Sequence, residues 1–260
     1  MRTVLCLAVL AACGRFGFGD HDMASDGSTA GDGSGGIGDG SGGNDAASAA
    51  CPIGLDLCDG FETGIDTSTW AVDSNVTRDT TFAHRGTASI HVHMPAFAAN
   101  TGSYQTMSET KTITNGATTF WIRSWFWLSA LPATGNGMEL ITGERPGSAG
   151  DYVFVFSDGT HVYSQFGGTS VTTATTVPVG SWFCAIFKVV RSTTNTGSLE
   201  LSGDAPALLL ASTKTDAAQA MTTINLGIGV SSTNNPAAQP ALDLWIDDVI
   251  VHSSAVTCTD

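Results

Sequence analysis

Between Phe120 and Leu128 the bulky side chains alternate. Phe120, Ile122, Phe126 and Leu128 fall on one parity, and Trp121, Arg123, Trp125 and Trp127 on the other. A period of two marks an extended strand, where successive Cβ atoms point to opposite faces. As a helix, the same segment would scatter its rings around the whole cylinder. Other segments repeat the pattern. Ser89 to Met94 sets Ile90, Val92 and Met94 against His91 and His93. Tyr152 to Phe156, Val162 to Phe166, Trp182 to Val190, Ile224 to Val230 and Leu242 to Val251 also read as strands. Clusters such as Ser157-Asp158-Gly159 and Asn195-Thr196-Gly197 supply turns between some of them. Threonine occurs 34 times, as often as Lys, Arg, Asp and Glu together, and its β-branch suits a pleated surface better than a helix. One short helical turn is expected around Asp216 to Met221. Many strands with turn punctuation and no alternation with helices predict an all-β fold, a two-sheet antiparallel β-sandwich.

The N-terminus reads as an address. Arg2 precedes the apolar run Val4 to Ala12, and Cys13 follows. That run is too short for the roughly 20 residues that cross a bilayer and fits a secretory signal. Leu10-Ala11-Ala12-Cys13 resembles a bacterial lipobox, which implies cleavage before Cys13, lipidation of its thiol and acylation of the new N-terminus. Residues 1–12 are then the signal peptide. Several acyl chains, at about 0.8 kcal/mol per buried methylene, would hold the protein on a membrane. Gly14 stands where an Asp would imply inner-membrane retention, so the expectation is export and lipid anchoring to the outer membrane. From Gly14 to Ala50 the chain carries twelve Gly and six Asp, a composition that cannot bury enough apolar surface to offset backbone ordering. Residues 13–50 are expected to be the lipidated cysteine and a disordered tether. Residues 51–260 form one domain, long enough for a substantial core.

Ten basic against 24 acidic residues leave a net charge of -14. That balance repels a phosphate backbone and excludes a general nucleic-acid binder. With Cys6 leaving in the signal and Cys13 lipidated, Cys51, Cys58, Cys184 and Cys258 remain. An even number in an exported domain reads as two disulfides. Four cysteines allow three pairings, among which sequence does not choose. The expected one joins Cys51 to Cys58 across a short loop and Cys184 to Cys258 as a staple on the tail. No C-x-x-C spacing occurs that would favour zinc.

Motifs spread over residues 55–258 carry a resemblance. Cys58-Asp59-Gly60-Phe61-Glu62, Trp70 and Ala83-His84-Arg85-Gly86-Thr87-Ala88-Ser89-Ile90-His91-Val92 open it. Val179-Gly180-Ser181-Trp182-Phe183-Cys184 and Leu244-Trp245-Ile246-Asp247-Asp248-Val249 complete it. Together they resemble the concanavalin A-like lectin/glucanase jelly roll, and jelly-roll carbohydrate-binding modules with a Phe-Glu first strand and an Asp-Asp last strand. The resemblance implies a jelly-roll sandwich. That scaffold carries lectins, hydrolases and lyases alike, so function has to be read from side chains. Ile186 stands where exported bacterial relatives carry a Glu two residues after the Trp-x-Cys cysteine, so any role of that Glu is absent. In the calcium-bearing modules the first-strand Glu and a last-strand Asp hold a structural ion. The resemblance therefore implies Glu62 and Asp247 or Asp248 as ligands of a structural calcium. Alternation makes Ile246 a core residue, so Asp247 and Asp248 face opposite ways unless a bulge intervenes. The inward one then needs a metal or a buried hydrogen-bond network.

The parity of Trp121, Arg123, Trp125 and Trp127 is the leading binding face. Sugars stack C–H patches on aromatic rings, and a guanidinium grips hydroxyls or a uronate carboxylate. Trp245, with Asp243 and Asp247 on its parity, and the pair His91 and His93 extend that candidate surface. The two histidines have a metal-ligand spacing, though no third ligand follows from sequence. His161, Tyr163 and Gln165 share a parity. With Arg123 they supply a base and neutralising groups for a polysaccharide lyase acting on a uronate-containing glycan. Only five Glu occur and the Glu-x-Asp-x-x-Glu strand is missing, which argues against a glycoside hydrolase. No Gly-x-Ser-x-Gly elbow occurs either. The expected function is non-catalytic glycan binding by a cell-envelope lipoprotein, with a polysaccharide as partner. A lyase, or a protein-interaction module whose aromatics are packed core, are the alternatives.

Overall fold

The computed structural model describes residues 55–259, apart from 110–117, 146–147, 158–160, 167–168, 191–194, 206, 215–222 and 231–235. Cys13, Cys51 and the expected helical turn at 216–221 lie outside the described residues, which hold strands and no helix. Two antiparallel sheets face each other. Sheet A runs, in spatial order, β13 (Leu208–Lys214), β12 (Asn195–Gly203), β11 (Trp182–Val190), β6 (Thr119–Leu128), β15 (Leu242–His252), β4 (Ser89–Met94) and β3 (Val76–Asp79). β1 (Leu57–Asp59) takes over from β4 along the same edge of β15. Sheet B runs β10 (Thr169–Thr173), β9 (His161–Phe166), β8 (Ser148–Ser157), β7 (Met138–Arg145), β14 (Thr223–Val230), β5 (Ser103–Glu109) and β2 (Trp70–Val72).

Each of the seven strands read from alternation is present, to within a few residues at its ends. The turn placed at Asn195-Thr196-Gly197 is corrected: these residues begin β12 and pair with Lys214, Thr213 and Ser212. Pairing to β11 and β13 gives their backbone groups partners that a turn would leave to water. On β6 the expected parity holds, with Phe120, Ile122, Phe126 and Leu128 all buried in the core between the sheets. Sheet B supplies Met107, Ile141, Val162, Ile224, Leu226 and Ile228 to the same core.

The other face of sheet A is apolar too, at one end. Trp125, Cys184, Ile186 and Ile250 form a second cluster there, closed by Val256 of the C-terminal tail. That tail is pinned by the disulfide Cys184–Cys258, with Cα atoms 5.9 Å apart. Cys58 is disulfide-bonded as well, and because Cys184 and Cys258 are committed to each other its partner lies outside the described residues.

A β-bulge interrupts the β15–β6 ladder between Asp247 and Ile250, where Asp247 pairs with Trp125 and Ile250 with Arg123. Asp248 takes φ 50° there, a left-handed conformation that Asp adopts more readily than most residues. The extra residue resets the parity. Ile246 and Val249 both reach the central core, and the two intervening carboxylates are spared it.

The disulfide closes a loop with a sequence separation of 74 residues. In the chain-entropy account, such a cross-link lowers unfolded-state entropy by an amount worth about 4 kcal/mol. Replacing Cys184 and Cys258 together by Ala should lower the unfolding free energy in a denaturant titration by about 2–5 kcal/mol. A double variant as stable as the parent would show that the tail is held by packing alone.

Candidate functional site

The parity of Trp121, Arg123, Trp125 and Trp127 is correct, but it does not line an open trough. Arg123 is fully buried. Its guanidinium donates from Nη1 to the Thr257 carbonyl at 3.0 Å and from Nη2 to the Asp248 carbonyl at 3.4 Å. Trp125 is buried beneath the His84 ring, stacked at 3.7 Å between centroids. Arg123 and Trp125 are therefore withdrawn as ligand contacts. The cause is physical: an apolar outer face on β6, β11 and β15 is covered by the chain's own tail and by the loop of residues 80–88. Trp121 is half-buried against the tail cluster, with Lys188 Nζ 5.0 Å from its ring centroid.

The 80–88 loop is tied down by the carboxylates that the family resemblance nominated for calcium. Glu62 accepts hydrogen bonds from the Thr87 amide at 2.9 Å, the Thr87 hydroxyl at 2.6 Å and the Ala88 amide at 3.3 Å. Gly86, at φ 66°, passes so close that a Cβ would run into that carboxylate. Asp247 accepts from the amides of His84 at 2.8 Å, Arg85 at 3.2 Å and Asp248 at 2.7 Å. Asp248 meets His84 Nδ1 at 2.7 Å. The bulge thus turns both aspartates toward the same loop, the exception to strict alternation that the sequence left open. These donors occupy lone pairs that a calcium shell would use, and such a shell wants six to eight oxygens. The residues present fit a hydrogen-bonded clamp better than a calcium cage. Burial and the neighbouring Asp248 push the Asp247 carboxyl up to about 7.

Beyond that clamp, toward β4, the face opens. His91 Nε2 and His93 Nδ1 each lie 2.8 Å from Asp243 Oδ1. β15 pairs Asp243 directly with His93 and Trp245 with His91. The Trp245 indole stacks on His91 at 4.6 Å and donates to Asp79 Oδ2 at 2.8 Å. Trp127 meets Trp245 edge-on at 5.0 Å. Phe82 of the loop packs against Trp127, Trp182 and Trp245 at 5.1, 5.5 and 5.2 Å. These rings and the His–Asp–His group are half-buried rather than enclosed. Burial works to raise the carboxyls of Asp243 and Asp79. Hydrogen bonds from His93 and His91 outweigh it at Asp243, and bonds from Thr81 and Trp245 at Asp79, so both sit below the usual carboxylate range.

The lyase set does not assemble around Arg123. His161, Tyr163 and Gln165 belong to β9 of sheet B, and their side chains lie outside the described residues. Arg123 lies in sheet A under the tail. Across sheet B one register row links Gly229, Glu139, Val155 and Tyr163. Glu139 is 4% exposed, and burial pushes its carboxyl up to about 8. Sequence reasoning passed over Glu139, a single acid in an apolar run, and also Phe82, His84 and Asp79, which sit in or beside a loop without periodicity. Asp243 carried a signal: it shares the parity of Trp245 one strand away from the histidines.

No family model matches the sequence, and no curated protein is similar enough to match. Among solved structures the fold is that of the concanavalin A-like β-sandwich proteins. The cellulose induced protein Cip1 superposes with a TM-score of 0.57 at 16% identity, over 78% of this chain and 99% of that one. The endo-β-1,4-glucuronan lyase of the fungus Trichoderma reesei gives 0.52 at 11% identity, over 78% and 92%. The binding domain of botulinum neurotoxin serotype D/C gives 0.55 at 11% identity, over 79% of this chain and 50% of that one. At these identities the likeness establishes the fold.

Two outcomes follow from the buried acids and the clamp. Folded Glu139 keeps a proton between its ordinary 4.5 and about 8 that the unfolded chain has lost, so stability falls as pH rises through that window. Asp247 acts in the same direction between 3.8 and about 7. The melting temperature should decline by several degrees from pH 5 to pH 9, and Glu139→Gln should flatten that decline. An unaltered slope would mean that the acid is solvated. For the clamp, adding calcium to chelator-treated protein should leave the melting temperature unchanged, since a ligand raises it only by binding the folded state. A rise of several degrees would restore Glu62 and Asp247 as a calcium site.

Proposed function

We propose that the chain is a glycan-binding β-sandwich, carried on a lipid anchor at Cys13 and displayed at the bacterial outer membrane. The observation that carries the binding reading is the half-buried cluster of Trp127, Trp245 and Phe82 beside Asp79 and Asp243 on sheet A. Aromatic faces take the C–H surface of a sugar ring, and neighbouring carboxylates accept its hydroxyls. Because Arg123 is enclosed and the accessible acids stay ionised, this platform suits a neutral polysaccharide better than a uronate. The glucuronan lyase among the structural neighbours supports a polysaccharide partner in general terms.

A second reading places β-elimination on sheet B, where buried Glu139 shares a register row with Tyr163. A carboxyl so displaced can hold or accept a proton near neutral pH. Under that reading a uronate polymer gains ultraviolet absorbance as the unsaturated product forms, whereas binding without chemistry leaves it flat.

The binding proposal predicts that tryptophan fluorescence shifts when neutral polysaccharides are titrated in. Trp245→Ala, checked for folding by circular dichroism, should weaken that binding by about tenfold, given roughly 1.4 kcal/mol for each such factor. Silence across a panel of neutral and acidic polymers would remove the proposal.

A further inference from the structure

We propose that His91, His93 and Asp243 form a binding site for a divalent first-row transition ion of the zinc type. Two imidazoles and one carboxylate are a donor set that such ions favour, and three protein ligands leave a coordination position open to water or an incoming oxygen. The three ligand atoms lie within 4.8 Å of one another. Bonds of about 2.0–2.1 Å require ligand atoms separated by about 2.9–3.4 Å, depending on geometry. Each histidine nitrogen already lies 2.8 Å from the Asp243 oxygen, so two edges of the polyhedron need open only slightly.

The backbone sets this arrangement in advance. His91 and His93 stand two residues apart on β4, hence on one face, and Asp243 is the direct cross-strand partner of His93 on β15. Ligands held by paired strands are placed more firmly than ligands on loops. Trp245 lies flat against the His91 ring and limits its rotation, while the Asp243 amide is fixed by the Ser129 hydroxyl at 2.9 Å. The triad is reachable. The side chains of His91, His93 and Asp243 are 27%, 45% and 33% exposed, enough for an ion to enter and for one side to remain wet. Asp79, bonded to the same Trp245, adds negative charge nearby. The triad differs from the Glu62 and Asp247 clamp in its residues, and from the glycan platform in its chemistry.

The test uses the full chain, stripped with chelator and dialysed, and titrated with zinc chloride by calorimetry. Cobalt(II) absorption serves as a second probe. The expected result is a zinc equivalent that is lost, or weakened at least tenfold, in His91→Ala/His93→Ala. Cobalt bands of nitrogen and oxygen ligation should disappear in the same variant. Calcium and magnesium should not compete. Should the double variant fold poorly, His93→Gln alone, at the most exposed ligand, should give the same tenfold loss. No zinc uptake by the parent, or uptake identical in parent and variants, overturns the site and leaves a plain hydrogen-bonded triad. Zinc binding without glycan binding would uphold this site while removing the polysaccharide reading.

Discussion

The outer face of sheet A is too apolar to be left to water, and the chain covers most of it with its own segments. Trp125, Cys184, Ile186 and Ile250 would expose a contiguous apolar patch beside a central strand, a feature that soluble proteins seldom leave open at large size. The tail comes from one side and the 80–88 loop from the other. Each brings a polar fastening. Arg123 reaches the Thr257 carbonyl of the tail, while Asp247 catches the loop amides of His84 and Arg85 and Asp248 meets the His84 ring. What stays accessible is the end toward β4, and there the functional candidates gather.

Seven strands, and the parity of β6 among them, were legible because large side chains alternate where one or both faces are packed, whereas β7 (Met138–Arg145) and β12 (Asn195–Gly203) were not. The family resemblance was also sound for the fold. Short or polar strands, such as β3 (Val76–Asp79) and β10 (Thr169–Thr173), left no such trace, since their Thr, Ser and charged residues read equally well as loop. Arg123 illustrates the harder gap. Its parity was evident, but whether that parity meets solvent depends on a tail more than a hundred residues away, joined by a disulfide that sequence alone does not assign. The meeting of His91, His93 and Asp243 is of the same kind. Two members sit together in sequence and the third arrives through the register of β15 on β4.

The bulge at Asp247–Asp248 converts what alternation would make an inward carboxylate into a clamp. Parity is a local rule and one inserted residue resets it. Without that insertion one aspartate would enter the sandwich beside Ile246, and Val249 would turn outward. With it, both serve the loop that carries Phe82 and His84 onto the tryptophans. The aromatic platform therefore depends on a backbone irregularity that shares β15 with Trp245 and lies one strand from Trp127.

The spatial order of the strands has a further consequence at the rims. On one side the sheets finish in β2, three residues long, and β3, four residues long and bearing Arg78 and Asp79. Rims so brief, one of them charged, give another copy little unsatisfied backbone to pair with. On the opposite side the end strands β13 and β10 of the two sheets lie against each other across the sandwich. Edge-to-edge pairing with a second copy is thus disfavoured along the β2–β3 side of the sandwich.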